Sequence, residues 1–207
     1  LDHLDYFKDM QHITDTFIEF SKLLPEDGFL IAFADDQNIQ KILPHAQCNI
    51  RTYGFHNDCD YKAEQISIDN DGLPTFKVIA QNKCLGQFNL KIPGKHNICN
   101  ALASIACCHT LGIPIEKIKA SLSMFRGIHR RYDVLGVIDG ITIVDDYSHH
   151  PTEVRATLEG SAKVPHNHLW AIFQPHTYTR TKALLHDFAS SFSKADKIII
   201  TLNDSVQ

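Results

Sequence analysis

The chain has 207 residues, of which 43% are hydrophobic and 21% are charged, a balance typical of a protein with a packed core and unlike that of a disordered segment. Its 20 basic and 24 acidic residues give a net charge of −4, which argues against a broad electrostatic surface for nucleic acid. No apolar run approaches the roughly 20 residues that a membrane-spanning helix needs, and the six cysteines show no CxxC or zinc-ribbon spacing. We therefore expect free thiols in a cytoplasmic protein that binds no nucleic acid and does not insert into a membrane.

The first part of the chain predicts helices and buried strands, followed by an antiparallel segment. Apolar residues at helical spacing predict a helix over residues 9–24, and the continuous apolar run over residues 29–34 predicts a strand that is buried on both faces. The further predicted elements are a helix over 37–43, strands over 50–53, 61–68, 75–80 and 87–92, and helices over 97–111 and 115–124.

Beyond Gly127 strands alternate with helices, which predicts βαβ units and a parallel sheet. The predicted elements are strands over residues 132–138, 141–144, 169–173 and 197–201 and helices over 152–163 and 182–192. The chain as a whole therefore predicts an α/β fold with a mainly parallel sheet in its second part. We place a domain boundary in residues 125–131, which divides the chain into residues 1–129 and 130–207. Because the sequence opens without methionine and stops just after a predicted strand, we expect truncation at both ends.

Two predicted strands end in dense polar clusters. The strand over 141–144 runs into residues 145–151, Asp-Asp-Tyr-Ser-His-His-Pro, and the strand over 169–173 runs into residues 174–180, Gln-Pro-His-Thr-Tyr-Thr-Arg. Ligands of open parallel sheets collect at the carboxyl ends of strands, so we expect both clusters at one edge of the sheet, where they form a ligand site. Packing alone is a poor explanation for carboxylates, imidazoles and an arginine at the ends of buried strands.

Taken singly, the residues of these clusters allow more than one role. Asp145 or Asp146 is a candidate N-cap for the helix that follows. His149 and His150 are weak candidates for a metal site, because adjacent side chains diverge and no third ligand follows at regular spacing. Arg180 suits a clamp for a carboxylate or phosphate, with an exposed surface arginine as the alternative.

A basic stretch lies at the predicted domain boundary. Residues 126–132 read Arg-Gly-Ile-His-Arg-Arg-Tyr, with three arginines beside a hinge. These arginines either reach phosphates bound between the domains or belong to a solvated linker, and their spacing leaves both readings open.

Five segments resemble the Mur ligase family, in the family's order along the chain. Residues 94–103, Gly-Lys-His-Asn-Ile-Cys-Asn-Ala-Leu-Ala, resemble G-x-H-N-x-x-N-A-L-A. Residues 145–153 are very close to the D-D-Y-x-H-H-P-T-E signature of the L-alanine-adding members, and residues 174–181 resemble their Q-P-H-x-Y-T-R-T. Residues 2–6 resemble the D-H-x-D segment of the central domain, and residues 130–132 resemble the arginine and aromatic at the start of the third domain. The resemblance covers nearly the whole chain.

This resemblance implies the later part of a central ATP-binding domain over residues 1–129 and the first part of a Rossmann-like, amino-acid-binding domain over residues 130–207. It implies an ATP- and Mg²⁺-dependent ligase of peptidoglycan precursor synthesis, which joins L-alanine to UDP-N-acetylmuramate through an acyl phosphate. The implied roles are ATP contacts for Asn97, Asn100, Arg131 and Asp146, a magnesium ligand in His3, and an alanine and acyl-phosphate pocket bordered by Tyr147, His149 and Arg180, with His149 and Arg180 catalytic.

The chain also departs from the family pattern. Thr177 stands where some members carry a second arginine, so the anion clamp rests on Arg180 alone. The glycine-rich P-loop with its lysine, the upstream acidic magnesium ligand and the UDP-binding domain are missing from these 207 residues, and we expect the residues to have no ligase activity on their own. The alternatives are a Mur ligase that attaches an intact peptide to UDP-N-acetylmuramate, a non-catalytic nucleotide-binding remnant, and a metal-dependent hydrolase that uses the histidines.

Overall fold

A computed structural model describes residue 3, residues 6–56 and residues 58–202 of the chain. The elements up to residue 124, which we call the N-terminal unit, are α1 (Met10–Ser21), β1 (Phe29–Phe33), α2 (Gln37–Ile42), β2 (Asn49–Gly54), β3 (Tyr61–Ile68), β4 (Pro74–Ala80), β5 (Lys83–Asn89), α3 (Lys95–Thr110) and α4 (Ile115–Met124). The elements from residue 133 onwards, the C-terminal unit, are β6 (Asp133–Ile138), β7 (Ile141–Asp145), α5 (Pro151–Ser161), β8 (Trp170–Phe173), α6 (Tyr178–Ala183), α7 (Leu185–Ser191) and β9 (Lys197–Ile200). Residues 125–132 form the linker.

The N-terminal unit is built on a five-stranded mixed sheet in the order β1-β2-β3-β4-β5. Strands β1, β2 and β3 are parallel, and β3, β4 and β5 are antiparallel. Strand β4 buries every second residue, because successive side chains of a strand point to opposite faces of the sheet. The carboxyl ends of β1 and β2 lie beside each other, with Phe33 opposite Tyr53.

Helix α3 supplies much of the core of this unit. Its buried residues recur at three- and four-residue intervals, which gives the helix one apolar face: Ile98, Ala101, Leu102, Ile105 and Ala106. This face packs against sheet residues that include Phe76, Val78 and Phe88. Leu102 is fully buried, so its truncation to alanine would cost about 2–5 kcal/mol of folding free energy. Near the N-terminus of α3, the side of the helix that faces away from this core lines a cavity.

The C-terminal unit contains two small sheets. Strands β6 and β7 form an antiparallel hairpin, whose turn residues Asp139 and Gly140 both have positive φ angles, of 50° and 81°; the hairpin turn that matches strand twist requires this. Strands β8 and β9 are parallel. Helices α5 and α7 cover β8 with a core of Val154, Leu158, Phe173, Phe188 and Phe192.

The predicted α/β fold class is confirmed, but several details differ from the expectations. The strand expected over residues 87–92 is β5, Lys83–Asn89, because its pairing with β4 begins directly after a two-residue turn. The strand at residues 29–33 has only Ala32 fully buried, because β1 is the outermost strand of the described sheet. The helix expected over residues 182–192 is two short helices that meet at Leu184. The two polar clusters follow β7 and β8, which belong to separate two-stranded sheets instead of one sheet edge. In the described part of the chain, every helix is too short or too polar to cross a bilayer.

Candidate functional site between the two units

The linker has an unusual backbone that the C-terminal unit holds in place. Gly127, Arg130 and Tyr132 have φ angles of 98°, 59° and 51°, and a side chain larger than glycine pays for such a conformation with strain unless its surroundings enforce it. The Arg130 carbonyl accepts a hydrogen bond from the Tyr147 N–H at 2.8 Å. The Tyr132 N–H donates to Asp146 Oδ2 at 2.8 Å. The loop after β7 therefore fixes the linker.

Asp146 is the centre of this loop. Its second oxygen, Oδ1, accepts hydrogen bonds from the Ser148 N–H at 2.9 Å, from the Ser148 hydroxyl and from the Thr157 hydroxyl at 3.2 Å. With Tyr132 included, four protein donors use the lone pairs of this carboxylate. Asp146 thus joins the linker, its own loop and helix α5.

The expectation that Asp145 or Asp146 caps helix α5 is wrong. His150 is the N-cap, and its Nδ1 accepts from the Thr152 N–H at 3.2 Å. Asp145 instead lies 3.5 Å from the Arg130 guanidinium. Histidine is not among the preferred N-cap residues, but an unprotonated ring nitrogen accepts a hydrogen bond as a carboxylate oxygen does.

Glu153 completes the capping box and also reaches the linker. Its Oε2 accepts from the N–H groups of His149 and His150, at 3.0 and 3.2 Å. Its Oε1 accepts from Arg131 Nη1 at 3.3 Å. Burial raises the pKa of the Glu153 carboxyl, but the N–H and imidazole of His149 and the Arg131 guanidinium lower it by more, so the net shift is downward.

A cavity of about 520 Å³ lies between the two units. One wall is the N-terminal half of α3 with the segment that follows β5 and Leu122 of α4, and the other is the linker, the loop after β7 and the start of α5. Its polar lining includes Asn97, Asn100, Arg131, Asp146 and Glu153. Its apolar lining includes Leu90, Ile92, Leu122, Phe125 and Ile128. A mainly apolar cavity with two amides on one wall and an arginine on the other suits a ligand that has both an apolar part and an anionic part.

The polar groups of α3 are held in place before any ligand arrives. Asn97 Nδ2 donates to the Pro93 carbonyl at 2.7 Å, and Asn97 Oδ1 accepts from Asn100 Nδ2 at 3.2 Å. The neighbouring His96 also lines the cavity. Burial lowers the pKa of His96, Asp146 raises it and Arg131 lowers it, with a net downward shift. The imidazole is therefore neutral at neutral pH.

The two units approach each other closely beside this cavity. A Cβ atom added to Gly160 of α5 would lie 3.5 Å from the Cα of Gly94, which precedes α3. A second cleft of about 430 Å³ lies on the far side of His96, next to the carboxyl ends of β1 and β2. There Asp35 accepts from the Phe55 N–H at 2.9 Å, and burial with the nearby Asp35 raises the pKa of Cys99 to about 11, so that thiol stays protonated.

The structure brings together the four residues with predicted ATP contacts. Asn97, Asn100, Arg131 and Asp146 come from sequence positions up to 49 apart, and all four line the one cavity between the units. Of the three arginines in the basic stretch, Arg131 lines the cavity, and its side chain is 45% exposed.

The residues predicted to border the alanine and acyl-phosphate pocket lie outside this cavity. Tyr147 is 42% exposed, and its ring lies 5.1 Å from that of His149 and 4.6 Å from the Arg130 guanidinium carbon. His149 Nδ1 is 2.8 Å from the Tyr147 carbonyl, and because a carbonyl only accepts, Nδ1 is the donor of this hydrogen bond. The same nitrogen lies 3.5 Å from Glu153 Oε2. Arg180 is partly buried on α6.

The predicted magnesium ligand His3 is exposed, and its carbonyl accepts from the N–H groups of Tyr6 and Phe7. The neighbouring residues 2, 4 and 5 of the D-H-x-D segment lie outside the described residues. Within the described part of the chain, no group of three or more His, Cys, Asp or Glu side chains is arranged to hold a metal ion. All six cysteines are free thiols.

Sequence reasoning missed four residues that shape the site: His96, Ser148, Glu153 and Thr157. For Glu153 a signal was available, because glutamate three residues after an N-cap is the mark of a capping box. For Ser148 and Thr157 there was none, since hydroxyls that complete the shell of a carboxylate have no characteristic spacing.

Comparison with known proteins identifies the family. The Mur ligase middle domain matches residues 1–108, and the Mur ligase glutamate ligase domain matches residues 130–207. The chain belongs to the Mur ligase family. The UDP-N-acetylmuramate–L-alanine ligase of Caldanaerobacter subterraneus subsp. tengcongensis is 52% identical over 200 residues, which cover 97% of this chain and 44% of that protein. The chain thus spans less than half the length of this curated relative.

Two solved Mur ligase structures share the fold. The UDP-N-acetylmuramate-alanine ligase MurC of Thermotoga maritima superposes with a TM-score of 0.77 at 28% identity. The match covers 98% of this chain and 44% of the MurC chain. The murein peptide ligase of Psychrobacter arcticus gives a TM-score of 0.67 at 29% identity, covering 94% and 41%. The fold that the sequence motifs predicted is therefore the Mur ligase fold.

Proposed function

We propose that this chain forms part of an ATP-dependent ligase that joins L-alanine to UDP-N-acetylmuramate through an acyl phosphate, in peptidoglycan precursor synthesis. One observation carries the proposal: the cavity between the units gathers Asn97, Asn100, Arg131 and Asp146 around an apolar slot. The 52% identity to a named L-alanine ligase supports the choice of substrates. We also propose residues 1–129 and 130–207 as the two domains.

In the proposed complex the cavity binds ATP. The apolar slot takes the adenine ring, and the amides of Asn97 and Asn100 supply both hydrogen-bond donors and acceptors for its edge. Asp146 binds the ribose, and Arg131 binds the phosphates through its planar fork. Because four protein donors already use the Asp146 carboxylate, a ribose hydroxyl has to replace or share one of them.

The acceptor side of the reaction is proposed for Tyr147, His149 and Arg180. ATP transfers its γ-phosphoryl group to the lactyl carboxylate and leaves as ADP, the alanine amine attacks the acyl phosphate, and the tetrahedral intermediate collapses with release of phosphate. Arg180 binds the carboxylate of alanine. In the neutral form of the His149 ring, Nε2 holds the lone pair because Nδ1 donates to the Tyr147 carbonyl, and Nε2 accepts the proton that the attacking amine loses.

Magnesium is proposed from family likeness alone, with His3 as one ligand. Mg²⁺ prefers six oxygen ligands, and the described residues do not supply such a set around His3. The described residues therefore do not form a magnesium site, and no step of the mechanism above depends on the ion.

The test is phosphate release by a chimera in which residues 1–207 replace the matching segment of the Caldanaerobacter ligase. We expect release that requires ATP, UDP-N-acetylmuramate and free L-alanine together. Arg180→Met should abolish it, whereas the matched control Arg155→Met should not, because Arg155 lies on α5 and donates a hydrogen bond to the exposed Ser190 hydroxyl, at 3.2 Å. Turnover with an intact tripeptide in place of alanine would favour the peptide-attaching alternative, and an inactive chimera would refute the proposal.

We further propose that residues 1–207 alone bind nucleotide but do not complete ligation. This sequence contains no G-x-x-G-K-[ST] segment, whose backbone amides and lysine would hold the β- and γ-phosphates. Phosphate release by the purified chain in the presence of all three substrates would contradict this.

A further inference from the structure

One carboxylate connects the two ends of the proposed site. Glu153 Oε1 faces Arg131 on the linker, and Glu153 Oε2 faces the backbone of His149 and His150 in the loop after β7. The arginine belongs to the proposed phosphate end and His149 to the proposed acceptor end. Both Glu153 and Arg131 also line the cavity between the units.

We propose that Glu153 is a positioning residue that holds Arg131 in the orientation needed to bind the nucleotide phosphates. This inference rests on the proposed function and adds a residue to it. Glu153 does not touch the nucleotide in this proposal; it acts through the arginine.

The geometry supports positioning over competition with phosphate. The contact at 3.3 Å uses one N–H of Nη1, and a guanidinium carries five N–H donors in a rigid plane. Four donors therefore remain for the ligand while the glutamate restricts the rotamers of a long side chain. The remaining oxygen of Glu153 is fixed by two backbone N–H groups at the start of α5, so the point of attachment is itself rigid.

The ion pair contributes little to folding, which leaves orientation as its main effect. The side chains of Arg131 and Glu153 are 45% and 32% exposed, and ion pairs with such exposure stabilise proteins only slightly. Without this contact, the ligand itself would have to restrict the Arg131 side chain on binding, which costs conformational entropy. This cost lowers the affinity only for anionic ligands, because these are the ligands that the arginine binds.

The substitution Glu153→Gln separates the two functions of the side chain. The amide oxygen of glutamine accepts from the His149 and His150 N–H groups and keeps the capping box. Its NH₂ group then faces the Arg131 guanidinium, and because both groups are hydrogen-bond donors the contact is lost. The matched control is Glu159→Gln, the same change on the same helix at an exposed position that lines the second cleft.

The experiment is calorimetric titration of the 207-residue chain with ADP and with adenosine, which lacks the phosphates. We expect the wild type to bind ADP more tightly than adenosine. Glu153→Gln should weaken ADP binding by about 5- to 20-fold and leave adenosine unchanged, as expected when the ligand must order the arginine itself. Glu159→Gln should change neither affinity.

A double-mutant cycle tests whether Glu153 acts through Arg131. In an Arg131→Met background, Glu153→Gln should have no further effect on ADP affinity, because the residue that it positions is gone. Should Glu153→Gln fail to fold, Glu153→Asp replaces it, since the shorter side chain cannot reach both partners; the same pattern is expected.

Three results would overturn the inference while leaving the nucleotide site intact: equal losses for ADP and adenosine, tighter ADP binding by Glu153→Gln, or an effect that persists without Arg131. Failure of the wild type to bind either ADP or adenosine would overturn the proposed nucleotide site, and the inference with it.

Discussion

Replacing Asp146 by asparagine removes one acceptor oxygen from a carboxylate that serves four protein donors. In the wild type, Asp146 Oδ2 accepts a hydrogen bond from the Tyr132 N–H at 2.8 Å. If the amide oxygen of asparagine takes the place of Oδ1, its NH₂ group faces this N–H and cannot accept the bond. A hydrogen bond to a charged group contributes about 1.5–3 kcal/mol. Tyr132 also has a φ of 51° that this bond helps to enforce. With the weaker bonds of a neutral acceptor at Oδ1, we expect the free energy of unfolding to fall by about 2–3 kcal/mol.

Urea unfolding followed by tryptophan fluorescence measures this loss, because the single tryptophan, Trp170, lies on β8 in the same unit. The control is Asp145→Asn, whose carboxylate forms a partly exposed pair with Arg130 at 3.5 Å and should cost less than about 1 kcal/mol. Hydrogen exchange of the Tyr132 amide should accelerate in Asp146→Asn only. Equal stability of the two variants, or an unchanged Tyr132 amide, would refute the reasoning.

Three further predictions concern stability. Gly54→Ala places a Cβ 2.5 Å from Asp35 Oδ1, so the carboxylate must move and the urea-unfolding free energy should drop by about 1–3 kcal/mol, whereas Gly136→Ala, with open space around it, should be neutral. Despite burial, the pKa of the Glu153 carboxyl is lowered from its usual value of 4.5 by the His149 N–H, the His149 imidazole and Arg131, so the stabilisation by its charged form is complete above that pH and is lost as pH falls through the folded-state pKa; the gap in urea midpoint between wild type and Glu153→Gln should be small and should close as pH falls below 4.5. Burial lowers the pKa of His96 below 6.5, so the unfolded chain binds the proton first and stability should fall as pH drops below 6.5; His96→Gln should remove that slope in the same unfolding assay.

The regular elements of the fold follow from local patterns. Helix α4 was predicted at its observed bounds, Ile115–Met124, because Pro114 sets its start and its apolar residues keep helical spacing. The predicted strands over residues 132–138 and 141–144 leave two residues between them, and in the structure these residues, Asp139 and Gly140, form the turn of the hairpin. The break between α6 and α7 at Leu184 has no glycine or proline to announce it, so tertiary packing decides it.

Part of the cavity lining could be named from the sequence, but the contacts of its side chains could not. Motif resemblance named Asn97, Asn100, Arg131 and Asp146, and the structure places them around one cavity. The sequence does not reveal which donor meets which lone pair, because that depends on side chains brought together from distant positions. Glu153 shows the limit: its local capping role has a sequence signature, but its contact with Arg131, 22 positions away, does not.

The cavity has walls on both units, and the units meet nearby where Gly160 approaches Gly94. A ligand that touches both walls binds only the docked arrangement, so it behaves as a reversible cross-link whose strength is set by its concentration. At a hundred times its dissociation constant such a ligand would favour docking by about 2.7 kcal/mol. The concentration of such a ligand would then set the fraction of molecules in which α3 and α5 are held together.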